Sequence, residues 1–169
     1  MPKLSNTVEE ALNHQINQEM SGAYNYLAMA SFFEGQNLSG FAKWMHRQRA
    51  EELDHAMRLF RYLIDRGGQI DLAAVEKPRI DYKSVREVFD TALAYEQNNT
   101  KLINDLYALA LNENDYATQS HLQWFVDEQV EEEKIVQDVL GLLDVAGDNN
   151  SALLVLNRQL AEQEDSGGA

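Results

Sequence analysis

Glu52 and His55 stand three residues apart in the stretch Glu51 to Arg58, EELDHAMR, where a helical pattern calls for apolar side chains. The stripe through them runs Phe41, Trp44, Gln48, Glu52, His55, Leu59, Tyr62. Its steps alternate between three and four, the spacing of a helix surface that faces a core. A carboxylate and an imidazole therefore point inward together. At this spacing they offer an oxygen and a nitrogen ligand to one cation.

Three further stripes repeat the anomaly. One is Val8, Leu12, Gln15, Glu19, Ala23, Tyr26, Ala30, Phe33. Another is Val85, Phe89, Ala92, Glu96, Asn99, Ile103, Leu106. The last is Leu122, Phe125, Gln129, Glu132, Val136, Val139, Leu143. Depth agrees with register. Glu19 lies fourteen residues after Ser5, Glu52 thirteen after Ser39 and Glu96 twelve after Ser84. Gln129 and Glu132 lie thirteen and sixteen after Tyr116. All fall near mid-helix, so four carboxylates and one imidazole share one layer whichever way the helices run.

Energetics decide how that layer is read. Each buried ion costs several kcal/mol even after relaxation. A whole domain is stable by only ~5–15 kcal/mol. No Lys or Arg sits at this level on the stripes. One buried Glu or His reads as a core residue satisfied by its neighbours, and two as an ion-pair network. Four, aligned in register and depth, read as a site for one or two cations. Carboxylates bridged between two metals with one terminal His describe a di-iron carboxylate centre.

A second acidic cluster borders the first. Glu51 precedes Glu52, and DEQVEEEK places Glu128 and Glu131 one position off the Gln129/Glu132 stripe. Spacing leaves two readings open: a solvated acidic face, or a weaker third metal site that passes cations to or from the buried pair. Tyr26 follows Glu19 by two turns, as core or as an electron donor near the layer. Trp124 precedes Glu128 by one turn, with the same two readings. His14, His46 and His121 have no partner at ligand spacing and are read as surface or packing residues. Met20, Met29, Met45 and Met57 are read as packing. No Gly-rich phosphate loop, Ser/His/Asp set or basic aromatic patch is present.

Five helices must position these residues. Ser5 is the expected N-cap of a helix to about Glu34, and GQNLSG breaks it. Ser39 is the expected cap of a second, ending near Arg66 to Gly68. A long irregular segment follows from about Gly67 to Lys83. Ser84 with Glu87 reads as a capping box for a third helix to about Asn112. NEND is a turn, and a fourth helix runs from Tyr116 to Ala146, ended by Gly147. A short fifth, about 150–163, carries Leu153, Leu154, Leu156 and Leu160 on its apolar face. The tail, 164–169, is expected to be disordered. Four helices of ~45 Å, at ~1.5 Å per residue, with short, long and short connections predict an all-α four-helix bundle with one long crossover. The chain, 1–169, is expected to be one domain, with the bundle over about 5–146.

Composition narrows the partners. Of 169 residues, 28 are acidic and 14 basic, a net charge of −14. That disfavours nucleic acid and anionic membrane and favours cations. No apolar run approaches a membrane span. MPKLSNTVEE has no apolar leader core. The absence of Cys removes disulfides, thiolate metal sites and Cys nucleophiles. A cytoplasmic location is expected.

The combination resembles the ferritin family, specifically prokaryotic non-haem ferritins, over about Leu4 to Gln163. The motifs that carry it are NQEMSGAYNYLAMA around Glu19, RAEELDHA around Glu52 and His55, YEQNNT at Glu96 and LQWFVDEQVEEEK from Leu122. The resemblance implies a ferroxidase centre in each subunit of a hollow shell of twenty-four subunits, with the fifth helix at fourfold axes. It implies Fe(II) oxidised by O2 or H2O2 and stored as hydrated ferric oxide. Glu19, Glu52 and His55 would hold the first iron; Glu52 as bridge, Glu96 and Glu132 the second, with Gln129 beside them. Glu51, Glu128, Glu131 and Glu132 would form the third site. Tyr26 and Trp124 match the family's tyrosine and tryptophan beside the centre.

Two positions depart from family patterns. Relatives that bind haem do so through a Met next to the second-helix Glu; Leu53 stands here, so no haem is expected. Many ferritins line threefold channels with acidic residues at the start of the fourth helix, whereas YATQSHLQ is not acidic. That favours an iron pore through the subunit near Glu51 and Glu128. Two other classes compete with iron storage. A di-iron oxidase acting on an organic substrate usually carries a second Glu-x-x-His, and Gln129-x-x-Glu132 lacks the His. A metal-free helical interaction protein would leave the buried charges unexplained.

Overall fold

The computed structural model describes residues 4–163. The helices are α1 (Asn6–Gly35), α2 (Ser39–Asp65), α3 (Val85–Asn112), α4 (Tyr116–Ala146) and α5 (Asn150–Glu162). They form the expected all-α four-helix bundle with one long crossover and a short C-terminal helix. The tail, 164–169, lies outside the described residues. No described helix is long and apolar enough to cross a membrane.

Helix direction follows from two apolar clusters. One joins Met29 and Phe33 of late α1 to Phe41 and Trp44 of early α2, Phe89 of early α3 and Val139 and Leu143 of late α4. The other joins Val8 and Leu12 of early α1 to Leu59 and Leu63 of late α2, Ile103 and Leu106 of late α3 and Leu122 and Phe125 of early α4. So α1 and α4 run one way, α2 and α3 the other. Residues 66–84 must therefore span the bundle, and they reach ~60 Å when extended at ~3.3 Å each. Two asparagines one turn apart on α1 pin this crossover. Asn13 donates to Gln69 O (2.8 Å) and accepts from Asp71 N (2.8 Å). Asn17 donates to Asp71 O (3.0 Å) and accepts from Ala73 N (3.0 Å).

The helix ends both match and correct the sequence reading. Ser5 accepts from Val8 N at 3.3 Å, as expected of a cap. Ser84 accepts from Glu87 N at 3.1 Å, but Glu87 reaches back to Lys83 N (2.7 Å), one residue beyond the usual box partner. Ser39 does not cap α2: it is the first helical residue, after Leu38. The orphan N–H groups of Gly40 and Phe41 are taken instead by Asn157 Oδ1 of α5, at 2.9 and 3.1 Å. Asp115 caps α4 through Thr118 N (3.1 Å) and receives both Arg66 terminal nitrogens (2.9 and 3.0 Å), tying the end of α2 to the start of α4.

Helix α5 buries Leu156 and Leu160 and half-buries Leu153. The expected four-leucine face is corrected at Leu154, which is 59% exposed. One residue on from Leu153 is ~100° around the helix, so Leu154 falls on the outer side with Val155.

Candidate metal centre

The polar residues of the four stripes meet between the two apolar clusters. Glu19, Gln48, Glu52, His55, Glu96, Asn99, Gln129 and Glu132 are all buried. α1 supplies Glu19, α2 supplies Glu52 and His55, α3 supplies Glu96, and α4 supplies Gln129 and Glu132. Among the described residues, no Lys or Arg pairs with any of the four carboxylates; their one cationic neighbour is His55.

His55 is placed between two groups of oxygens. Its Nδ1 lies 3.8 Å from Glu19 Oε2 and 3.7 Å from Glu52 Oε1. Neither contact is a hydrogen bond, and among the described residues Nδ1 has no hydrogen-bond partner. Its Nε2 lies 3.9 Å from Glu128 Oε1 and 4.0 Å from Glu132 Oε1. Ligand atoms of Glu19, Glu52 and His55 lie within 4.8 Å of one another, and so do those of His55, Glu128 and Glu132. Glu132 Oε2 is buried and has no hydrogen-bond partner among the described residues. Lone pairs facing one another across a gap fit a bound cation.

Hydrogen bonds hold the carboxylates from behind. Gln15 donates to Glu19 (2.7 Å) and to Asn99 Oδ1 (2.6 Å). Asn99 donates in turn towards Glu19 Oε2 at 3.3 Å. Gln129 Nε2 lies 3.2 Å from Glu96 O and 3.4 Å from Glu96 Oε2. Tyr26 donates its phenolic proton to Glu96 Oε1. Tyr95 donates to Glu52 Oε2 at 2.5 Å. The ring centroid of Trp124 is 5.4 Å from that of His55, and the Arg58 guanidinium lies over the Trp124 ring at 3.9 Å from its centroid.

The electrostatics are those of a site short of positive charge. Burial, then Glu19 and Glu96, pushes Glu52 well above the usual carboxylate range. Burial, then Glu96 and Glu52, does the same to Glu132. Glu96 is raised by burial to about 7, with the bonds from Tyr26 and Gln129 working against the rise. Burial opposes a charged imidazole at His55, but Glu19 and Glu52 outweigh it and hold it at about 11. The metal-free layer thus retains protons that a cation, on entering, would displace.

The second acidic cluster is brought only partly to the centre. Glu128 is half-buried and faces His55. Glu51 is half-buried and receives a bond from Gln48. Glu131 is exposed, and neither Glu51 nor Glu131 joins the two ligand groups among the described residues. A groove of 350 Å³ beside Glu51 and Gln48 opens between α2, α4 and α5. Leu53 is half-buried. His14 is exposed, His46 lies 3.9 Å from Glu34, and His121 stacks on Tyr62 with centroids 3.9 Å apart. None of the three reaches the layer.

Sequence reasoning missed Tyr95, which lies off the α3 stripe, one residue before Glu96. The available signal was Gly22, a glycine inside a long helix. A Cβ there would collide with Tyr95 Oη and Glu52 Oε2.

Comparison with known proteins shows the family and the fold. A family model described as a ferritin-like domain matches residues 9–146. The bacterial non-heme ferritin of Staphylococcus aureus strain USA300 is 38% identical over 157 residues, 93% of this chain and 95% of the relative. That of Staphylococcus epidermidis is 37% identical over 158 residues, 94% and 95% of the two chains. Among solved structures, an open pore ferritin from the hyperthermophilic archaeon Archaeoglobus fulgidus superposes with a TM-score of 0.95 at 43% identity, over 97% of this chain and 100% of that one. A closed form of the Archaeoglobus fulgidus ferritin, engineered by site-directed mutagenesis, gives 0.93 at 43% identity, over 95% and 98%.

Proposed function

The chain belongs to the ferritin family, and on that premise we propose that it oxidises Fe(II) and stores the product as a ferric mineral. The observation that carries the reading is the convergence of Glu19, Glu52 and His55, all buried, with facing ligand atoms. The substrate is a pair of Fe(II) ions. Glu19, Glu52 and His55 hold the first. Glu52 is shared with the second, which Glu96 and Glu132 complete. Gln129 and Tyr26 keep Glu96 in place, and Gln15 and Asn99 keep Glu19 in place. The apolar clusters on either side exclude water, which strengthens each carboxylate's pull on a cation.

O2 or H2O2 takes the electrons from the pair, and the Fe(III) product leaves for the interior of the proposed shell of 24 subunits. Glu51, Glu128 and Glu131 form a wetter third site on that path. Their higher local dielectric weakens the hold on a cation, which suits transit. The net charge of −14 gives the shell carboxylates on which hydrated ferric oxide nucleates. The names of the staphylococcal relatives, non-heme ferritins, support a centre without haem, and the expected site of action is the cytoplasm.

An anaerobic Fe(II) titration followed by admission of O2 tests the reading, alongside the mass of the assembly by light scattering. Saturable uptake of two ions per subunit, fast oxidation and a shell-sized mass are expected. A monomer that binds no Fe(II) would falsify it.

A further inference from the structure

The geometry points to Tyr95 as the residue that makes Glu52 bridge two cations rather than chelate one. This rests on the reading of Glu52 as the shared ligand. Tyr95 leaves α3 one position before Glu96 and crosses to α2, where its hydroxyl donates to Glu52 Oε2 at 2.5 Å. The same hydroxyl lies 3.3 Å from the Gln18 carbonyl of α1. Its ring meets Tyr26 edge to face, with centroids 5.9 Å apart and planes at 85°. Tyr26 in turn bonds Glu96. Two phenols in contact thus hold one carboxylate each.

The space for this arrangement is built in. Gly22 of α1 stands where any Cβ would overlap Tyr95 Oη and Glu52 Oε2. Glycine inside a helix costs about 1 kcal/mol relative to alanine. Neither a turn nor a helix end accounts for it here, since α1 continues to Gly35. What Gly22 admits is the hydroxyl–carboxylate pair.

The consequence follows from the two oxygens of Glu52. Oε1 faces His55 Nδ1 at 3.7 Å, on the side of Glu19. Oε2 is held by Tyr95. A carboxylate free to turn would place both oxygens on the first cation to arrive, and nothing would remain for a second. With Oε2 tethered by a charge-assisted bond, the first cation receives Oε1 alone. Oε2 keeps a lone pair for the second cation on its other side. Tyr95 is therefore a positioning residue: it acts through Glu52 and sets the order and number of ions bound.

Anaerobic Co2+ titration of the assembled protein, read by visible absorbance, tests this without any oxidation step. The wild-type protein should fill in two steps, two ions per subunit. Tyr95→Phe keeps the ring and removes only the donor. It should keep or tighten the first step and weaken the second by about tenfold or more, the usual cost of removing a partner that orients a metal ligand. Gly22→Ala keeps the hydroxyl but forces it away from Glu52, and should weaken the same step. Two unchanged steps in Tyr95→Phe overturn the inference. So does an equal loss of both, which is what disturbed packing alone would give. A wild-type protein that takes up fewer than two Co2+ per subunit overturns the paired-cation reading itself, and this inference with it.

Discussion

His55 Nε2 lies 3.9 Å from Glu128 Oε1, so Glu128 stands behind the imidazole whose Nδ1 faces Glu19 and Glu52. On the proposed reading, a cation held at Nδ1 leaves the proton of the neutral ring on Nε2, which faces Glu128 and Glu132. A carboxylate that moved in to accept that proton would fix both tautomer and ring orientation. Of the two acidic neighbours Glu128 and Glu131, only Glu128 joins a ligand group with His55 among the described residues, so the proposal gives it a part at the centre as well as on the transit path.

Single variants should separate them. Glu128→Ala is expected to slow the first fast oxidation of two Fe(II) per subunit by about tenfold. Glu131→Ala should leave that phase intact and alter only later turnover with several hundred Fe(II) per shell. Stopped-flow absorbance at the two loadings distinguishes the phases. Equal effects of the two substitutions on the first phase would remove the distinction.

On the proposed reading, Glu52→Ala takes away the ligand shared by both ions. Fast oxidation should fall by about 100-fold or more, at or beyond the upper end of what a disturbed metal ligand costs. The subunits should still fold and assemble, because Glu52 is buried inside one bundle and away from its outer surface. A variant that oxidises Fe(II) normally would end the two-ion assignment.

The protonation of the layer gives stability a defined pH slope. Glu96 sits at about 7 against 4.5 for the free side chain, and Glu52 and Glu132 are raised in the same direction. Above pH 4.5 the folded metal-free protein therefore binds more protons than the unfolded chain, and stability falls as pH rises through 7. His55 has the same sign. Held at about 11 against 6.5, it contributes stability that is complete below 6.5 and lost as pH rises towards 11. Metal-free melts should be lower at about pH 7.5 than at about pH 5.5, and saturating Co2+ should narrow the gap. A metal-free melting temperature that climbs over this interval would contradict the sign.

Asn157 of α5 caps α2 from a distance of more than a hundred residues in sequence. Asn157→Ala should cost ~1 kcal/mol, a fall of roughly 2–4 °C in melting temperature for a chain of this size. Truncation after Gly147 removes the cap together with buried Leu156 and Leu160. Each fully buried Leu contributes about 1.5–3 kcal/mol, so the truncated protein should melt several degrees lower still. Differential scanning calorimetry of the two variants checks the ranking, and an unaltered truncated protein would show that α5 adds nothing to the bundle.

The bundle and the carboxylates of its middle were legible because buried charge interrupts a helical period, and both register and depth can be counted along one chain. Tyr95 was not, because its partners lie on α1 and α2 and no local spacing brings them together. Ser39 resembled a cap in its local context, yet the acceptor that fills the position comes from α5. Leu154 looked equivalent to its neighbours in a leucine-rich stretch, and only the docking of α5 shows which side faces in. Local chemistry was readable; pairings across the fold were not.

The band of polar side chains has one further effect. It divides the oily interior into two separate bodies, one around Phe33, Phe41 and Phe89, the other around Leu12, Leu59 and Phe125. Alterations in one body share no packing partner with alterations in the other, and effects at such independent sites add to within about 0.5 kcal/mol. Each end can be repacked on its own terms. Over evolutionary time the two halves are thus free to drift separately, provided the seam between them is left untouched.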